Sequence, residues 1–125
     1  MKWMTKENKA IFLKDISARL PYGVVGLYSW KGNEPYDREL TGTLYDELVS
    51  SLNSTEDTTF LPYLRRMSSM TKEEMDEYAM ISSKIGFPYK QFPKLTDWLN
   101  QHHFDYRDLI SLGLAVDAPD HLYKS

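Results

Sequence analysis

The N-terminal part of the chain has the spacing of an amphipathic helix. Apolar residues recur there every three or four positions, at Phe12, Ile16 and Leu20, with lysines between them. That spacing places the apolar side chains on one helix face. Thr5 is a suitable N-cap and Pro21 cannot continue a helix, so we expect a long N-terminal helix between them.

The middle of the chain changes to the period of two that is typical of strands. Residues 24–30 are rich in β-branched and aromatic side chains, and residues 38–45 alternate between apolar and polar. We expect these two segments to pair as antiparallel strands. Residues 48–52 fit either a short strand or a helical turn. Residues 58–61 predict a third strand, which Pro62 should stop.

Helical signals return in the last part of the chain. Thr71 and Glu74 have the spacing of a capping box, and Met70 and Met75 stand at the positions of a hydrophobic staple around it. A helix is therefore predicted after Thr71. Residues 87–93, rich in Phe, Pro and Tyr, are predicted to form a loop.

A further helix face is formed by residues at i, i+3, i+4 and i+7, namely Leu95, Trp98, Leu99 and His102. Asp105 then opens a predicted short helix that Gly113 ends, and residues 114–116 add a brief strand or an extended tail. The order of elements predicts an α+β fold in one domain, residues 1–125. It has a small three-stranded antiparallel sheet, a long N-terminal helix and a C-terminal helical half.

Composition narrows the possible functions. The chain has no cysteine, which excludes disulfides, thiolate metal sites and cysteine nucleophiles. A net charge of −3 is unlike the basic excess usual in nucleic-acid-binding domains. No signal peptide, membrane span or cofactor-binding motif occurs in the pattern. We therefore expect a cytoplasmic protein with no membrane partner, no cofactor and no metal.

The histidine pair is the first candidate for chemistry. His102 and His103 precede Asp105, and an acid–base pair of His103 and Asp105 would suit a small hydrolytic enzyme. Adjacent side chains on a helix point about 100° apart, so the two histidines do not easily share one metal. Packing at a helix end explains His102 equally well, and the structural interpretation is favoured.

Arg107 lies in the densest polar cluster, residues 105–108. An arginine between two carboxylates and beside a tyrosine could bind a phosphate. Asp105 and Asp108 also have the spacing of a helix cap, which explains the cluster without a ligand. The capping interpretation is the favoured one.

A second candidate combines aromatic and guanidinium groups at Tyr63, Arg65 and Arg66. Such groups stack on bases and bind phosphates, so they indicate a possible nucleic-acid-binding surface. Residues that would extend this surface are Tyr89, Lys90 and Lys94. Arginines on a connector are more often solvated or ion-paired, so nucleic acid is the alternative partner rather than the first one.

Aromatic side chains make up 14% of the chain, and the core is the favoured place for most of them, since aromatics supply much of the apolar surface of a small domain. Tyr28, Trp30 and Tyr36 flank the first predicted hairpin. Tyrosine and tryptophan are enriched at the centres of protein interfaces, so a surplus of them favours a protein partner.

Two segments resemble a known group of proteins. The likeness is carried by PYLRRMSSMT at 62–71 and by DWLNQHHFDYRDLI at 97–110, with a looser match at 13–24. These segments resemble short proteins of gut Bacteroidetes and of their phages and mobile elements, a family without an established activity. The sequence departs from the family pattern at Arg66, where proline is expected, and at Asp108, where glycine is expected.

The resemblance implies a phage or mobile-element origin and an accessory or host-interaction role. Together with the aromatic surplus, it favours a non-enzymatic protein-interaction module. Expected binding residues are Trp30, Tyr63, Arg65, Arg66, Tyr89, His103 and Arg107, with no catalytic or metal-binding residue. A nucleic-acid-binding accessory protein and a small hydrolytic enzyme are the alternatives.

Overall fold

Helix α1 (Lys6–Arg19) begins where the sequence predicts it. The computed structural model describes residues 5–30, 33–52, 58–83, 88–120 and 122–123, with the backbone alone at 52 and 88–93. The Asn8 backbone N–H donates to Oγ1 of Thr5 at 3.1 Å, which confirms the predicted cap. Phe12 and Ile16 are fully buried on one side of the helix, as the spacing predicts.

The sheet contains four strands in the order β2-β1-β3-β4. Strand β1 (Val25–Trp30) pairs antiparallel with β2 (Tyr36–Glu39) and with β3 (Thr58–Leu64). Strand β4 (Val116–Asp117) lies parallel to β3. The α+β class is confirmed, whereas the predicted three-stranded antiparallel sheet is wrong because β4 makes the sheet mixed.

Helix α2 (Gly42–Leu52) replaces the second half of the predicted second strand, residues 42–45. Strand β2 ends at Glu39, and Oγ1 of Thr41 accepts the Leu44 N–H at 3.2 Å. Leu44 and Leu48 are fully buried, and their separation of four residues places both side chains on the same face of the helix. The segment 48–52, left open by the sequence, is helical.

Strand β3 continues through Pro62, which the sequence predicts as its end. Pro62 lies opposite Gly26, and β4 pairs only with the two residues that follow. A β-carbon on Gly26 would lie 2.5 Å from Cζ of Phe60 and 2.8 Å from the Leu61 carbonyl oxygen. Glycine at this position therefore allows Phe60 to pack across the strand.

The two faces of the sheet differ in burial. Phe60 and Leu64 on β3 are fully buried, whereas Leu61 and Tyr63 on the opposite face are partly exposed. The buried face packs against α1 and α2 in the main hydrophobic cluster. Its buried members are Phe12, Ile16, Val24, Tyr28, Leu40, Leu44, Leu48, Phe60, Leu64, Leu109, Leu114 and Ala115.

Helices α3 (Lys72–Ser83) and α4 (Pro88–Gln101) form a second cluster around Trp98, Leu99 and Phe104. The predicted capping box is confirmed, because the Thr71 N–H donates to Oε1 of Glu74 at 2.9 Å and the Glu74 N–H donates to Oγ1 of Thr71 at 3.1 Å. Of the two predicted staple residues, Met70 packs against this cluster, whereas Met75 is about half exposed and is not among its members.

Helix α4 begins at Pro88, so the loop predicted at 87–93 is wrong for residues 88–93, while residue 87 lies outside the described residues. Proline is favoured in the first turn of a helix, where its missing N–H costs nothing. None of the described helices is both long and hydrophobic enough to span a bilayer.

The helix predicted to open at Asp105 is a series of turns. Asp105 caps as predicted, because its carboxylate accepts the N–H groups of Leu109 and Ile110 at 2.8 and 2.9 Å. Asp108 has a φ of 62°, which a right-handed helix does not contain. Glycine adopts a positive φ without strain, whereas a residue with a β-carbon such as Asp108 does so less readily.

Candidate functional site

A polar cleft of about 860 Å³ lies between the end of β3, the start of α3 and the segment around β4. It brings together Arg65, Arg66 and His103 from the predicted binding set. We call it the polar cleft. Its full lining is Leu64, Arg65, Arg66, Ser68, Ser69, Thr71, Glu73, Glu74, Glu77, Gln101, His102, His103, Asp117, Ala118, Pro119, Asp120 and Tyr123.

Arg65 is held within the fold by the first turn of α3. Its Nη1 and Nη2 donate to the two carboxylate oxygens of Glu74 at 2.7 and 2.6 Å. Its guanidinium lies 4.3 Å from the centre of the Phe104 ring. The side chains of Arg65 and Glu74 are only 22% and 14% exposed. This arginine therefore joins β3 to α3 and to the second cluster, and offers little of its charge to a ligand.

Arg66 forms an ion pair at the rim of the cleft. Its Nε and Nη2 donate to the carboxylate of Asp117 in β4 at 2.7 and 3.1 Å. Both side chains are more than half exposed, and the Asp117 carboxylate raises the pKa of Arg66. An exposed pair of this kind adds little stability, but it does balance the arginine charge.

His103 lies in the tight turn that follows α4. Its φ is 63°, its side chain is 8% exposed, and its ring stacks on Tyr123 with centroids 3.7 Å apart. Burial, helped by the charges of Arg19, His102 and Arg65, lowers the pKa of His103 to about 4. Its Nδ1 is buried and has no hydrogen-bond partner among the described residues.

The predicted acid–base pair of His103 and Asp105 is not assembled in the structure. Both Asp105 oxygens accept backbone N–H groups in the following turn, and Asp105 does not line the polar cleft. No hydrogen bond joins the Asp105 carboxylate to His103 Nδ1, which has no partner among the described residues.

Arg107 and Tyr63 are engaged elsewhere in the fold. Nη1 of Arg107 donates to Oδ1 of Asp15 at 2.8 Å, in a buried network on α1. The Tyr63 hydroxyl donates to Oδ1 of Asp37 at 2.6 Å across the open face of the sheet. That hydrogen bond raises the pKa of Tyr63. Neither residue lines the polar cleft.

The remaining residues of the predicted nucleic-acid surface give little support to it. The side chains of Tyr89 and Lys90 lie outside the described residues, and Lys94 is exposed on α4 without lining the cleft. Within the described residues, no group of three or more histidine and carboxylate side chains could hold a metal ion.

Trp30 lies at a different place, in a groove of about 660 Å³ between α2 and the end of β1. We call this the aromatic groove. It is lined by Tyr28, Trp30, Thr43, Asp46, Glu47, Ser50 and Thr58. Tyr28 is buried, whereas Trp30 is 46% exposed and the neighbouring Tyr36 is 55% exposed.

The α2 wall of the aromatic groove was missed by the sequence interpretation. Thr43, Asp46, Glu47 and Ser50 are spaced i, i+3, i+4 and i+7, so they form one polar stripe on α2. That spacing was available in the sequence. The alternation of residues 38–45 predicts a strand, however, and a strand does not place these four residues on one face.

Acidification is expected to destabilise the fold in two successive pH ranges. Between the ordinary pKa of His103, 6.5, and its folded value of about 4, the unfolded chain binds more protons and stability falls as the pH falls. The hydrogen bond from Arg65 lowers the pKa of Glu74 from 4.5 to about 2, so stability falls further in that range. Both shifts act in the same direction.

Urea unfolding across both ranges measures this effect. His103→Asn should abolish the upper step and leave the lower one, since asparagine tolerates the left-handed backbone and does not titrate. Glu74→Gln should abolish the lower step. An upper step that is unchanged in His103→Asn would show that another group controls it.

Known proteins give no further guide to the site. Comparison of the chain with protein-family models, with curated proteins and with solved structures found no match in any of the three. The function is therefore inferred from the geometry of the two depressions.

Proposed function

We propose that this protein is a non-enzymatic protein-interaction module whose contact surface is the aromatic end of the β1–β2 hairpin. The observation that supports it is the exposure of Trp30 and Tyr36, which are 46% and 55% exposed at one place in the fold. They are the only aromatics among the exposed large hydrophobic side chains of the described residues. Exposed aromatics of this kind are the anchors that protein interfaces bury.

The aromatic end is also built to hold these side chains in place. Tyr36 lies against the buried Tyr28 ring, edge to face, with centroids 5.5 Å apart. Arg38 lies 4.6 Å above the Tyr28 ring and 3.6 Å from Glu47 of α2. A rigid aromatic anchor loses little entropy when a partner covers it, which favours binding.

The polar cleft gives less support to the nucleic-acid-binding alternative. Arg65 and Arg66 each have a carboxylate partner, and three more carboxylates line the same cleft, at Glu73, Glu77 and Asp120. A phosphate backbone would have to displace those partners and approach the remaining acids. We also propose that this interaction module is a cytoplasmic protein and that it originates from a phage or mobile element.

Affinity capture from a lysate of a gut Bacteroidetes species tests the proposed function. The wild-type protein should retain one stoichiometric protein after nuclease treatment, and Trp30→Ala combined with Tyr36→Ala should lose it by roughly thirtyfold or more in affinity. Both side chains are about half exposed, so the thermal midpoint should change little.

The matched control is Met75→Ala combined with Met80→Ala on α3. These methionines are as exposed as the two aromatics but lie outside both depressions. Equal capture by the aromatic variant and the methionine variant would contradict the proposed surface. Capture that disappears with nuclease would replace it with the nucleic-acid alternative.

A further inference from the structure

The aromatic groove has one wall from a helix and one from the sheet. Tyr28 and Trp30 stand two residues apart on β1 and so lie on the same face of it, and Thr58 of β3 is paired with Trp30. The opposite wall is the stripe Thr43, Asp46, Glu47 and Ser50 of α2. The groove therefore sets two aromatic rings opposite two carboxylates.

The groove carries negative charge that is only partly balanced. Among the described residues, its lining holds two carboxylates and no lysine, arginine or histidine. Glu47 lies 3.6 Å from Arg38 and accepts a long hydrogen bond of 3.4 Å from the Tyr28 hydroxyl. The Asp46 carboxylate makes no hydrogen bond or ion pair with the described part of the chain. Burial and the Glu47 carboxylate raise the pKa of Tyr28, consistent with a negative potential here.

The chain itself shows which chemistry suits this arrangement. The Arg38 guanidinium lies 4.6 Å from the centre of the Tyr28 ring while it approaches the Glu47 carboxylate. A ring face and a carboxylate together are the partners that a guanidinium prefers, since its plane stacks and its edges donate. Trp30 and Asp46 also line this groove.

We propose that the aromatic groove receives an arginine side chain from a basic segment of a protein partner. The inference rests on the proposed function and adds the chemistry of the partner to it. The guanidinium lies against Asp46, with its methylene stem packed on the Trp30 ring. The two carboxylates of the lining, of which only Glu47 has an ion-pair partner among the described residues, repel phosphates and acidic peptides, and this gives the groove its selectivity.

Titration with blocked tripeptides tests the inference on the full-length protein. Acetyl-Gly-Arg-Gly-amide at millimolar concentrations should shift the NMR signals of the Trp30 indole N–H and of the α2 backbone at residues 43–50. The lysine analogue should bind more weakly, and the glutamate and leucine analogues should leave these signals in place. Added salt should weaken the binding, because the contact is a solvent-accessible ion pair.

Asp46→Asn should weaken binding of the arginine peptide by about three- to fivefold, the range of an exposed ion pair. Asp76→Asn is the matched control, because it removes the same charge from an exposed position on α3 outside the groove. It should bind the peptide as tightly as the wild type. Both variants should keep the wild-type thermal midpoint.

Two results would overturn the inference. Equal binding of the leucine or glutamate peptide would show that charge does not select the ligand, and absence of any shift with the arginine peptide would show that the groove does not take it. Neither result would contradict the proposed function. That function fails separately, if the Trp30 and Tyr36 double variant still captures the partner.

Discussion

Replacing Asp15 by alanine is expected to destabilise the protein by about 3 to 5 kcal/mol, a large part of the stability of a domain this size. Asp15 and Arg19 are fully buried on α1, and Arg19 donates from Nε and Nη2 to the two carboxylate oxygens at 2.7 and 3.1 Å. Arg107 donates to the same carboxylate at 2.8 Å. Without Asp15, the buried guanidinium of Arg19 would keep its hydrogen bond to the Phe104 carbonyl at 2.6 Å but lose its counter-charge.

Urea unfolding of Asp15→Ala measures the loss, with Asp76→Ala as an exposed control that should change little. The double variant Asp15→Leu with Arg19→Met should recover much of the stability, because apolar side chains of similar size have no charge to desolvate. An Asp15→Ala variant within about 1 kcal/mol of the wild type would show that the network does not stabilise the fold.

Arg65→Ala is expected to destabilise the protein by about 2 to 3 kcal/mol, the second large effect. The change breaks two short hydrogen bonds to Glu74 and removes the contact with the Phe104 ring. It also leaves Glu74, whose side chain is only 14% exposed, without the Arg65 charge, while its carboxylate still caps α3 by accepting the Thr71 N–H. Arg65→Lys should recover only part of the loss, because an ammonium cannot bind both oxygens in one plane.

The neighbouring Arg66→Ala is the matched control for this effect. Its ion pair with Asp117 is more than half exposed on both sides, so thermal unfolding should differ little from the wild type. If the Arg65→Ala variant is as stable as the wild type but no longer captures the partner, Arg65 is part of the binding surface. If Arg65→Ala and Arg66→Ala destabilise the protein equally, the difference in burial between the two arginines does not determine how much each stabilises the fold.

Elements defined by local rules could be predicted from the sequence. Thr5 caps α1, and Thr71 with Glu74 caps α3, because each cap depends on residues three positions apart. Gly113 has the left-handed conformation that glycine favours, with a φ of 76°, although it ends a series of turns and not the predicted helix.

Elements that depend on distant contacts could be predicted only in part. Strand β4 is two residues long and exists only through pairing with Tyr63 and Leu64, so the sequence left residues 114–116 open between a brief strand and an extended tail. The segment 38–45 has apolar residues at spacings that fit a strand or a helix, and the position of the core against α2 decides between them.

The same limit applies to the site residues. Arg66 and Arg107 look like free cations in the sequence, but their carboxylate partners are 51 and 92 residues away. Trp30 was identified from the aromatic surplus alone. Its position opposite Asp46 and Glu47 required the helix α2, which the alternation of residues 38–45 concealed.

The central claim is that the partner binds at the aromatic end of the hairpin and not at the polar cleft. The most direct test is affinity capture, with thermal unfolding in parallel, for Trp30→Ala combined with Tyr36→Ala and for Arg66→Ala. We expect the aromatic variant to lose the partner and Arg66→Ala to keep it, both with wild-type thermal midpoints. Loss of the partner in Arg66→Ala, with capture retained in the aromatic variant, would place the binding surface at the polar cleft and contradict the claim.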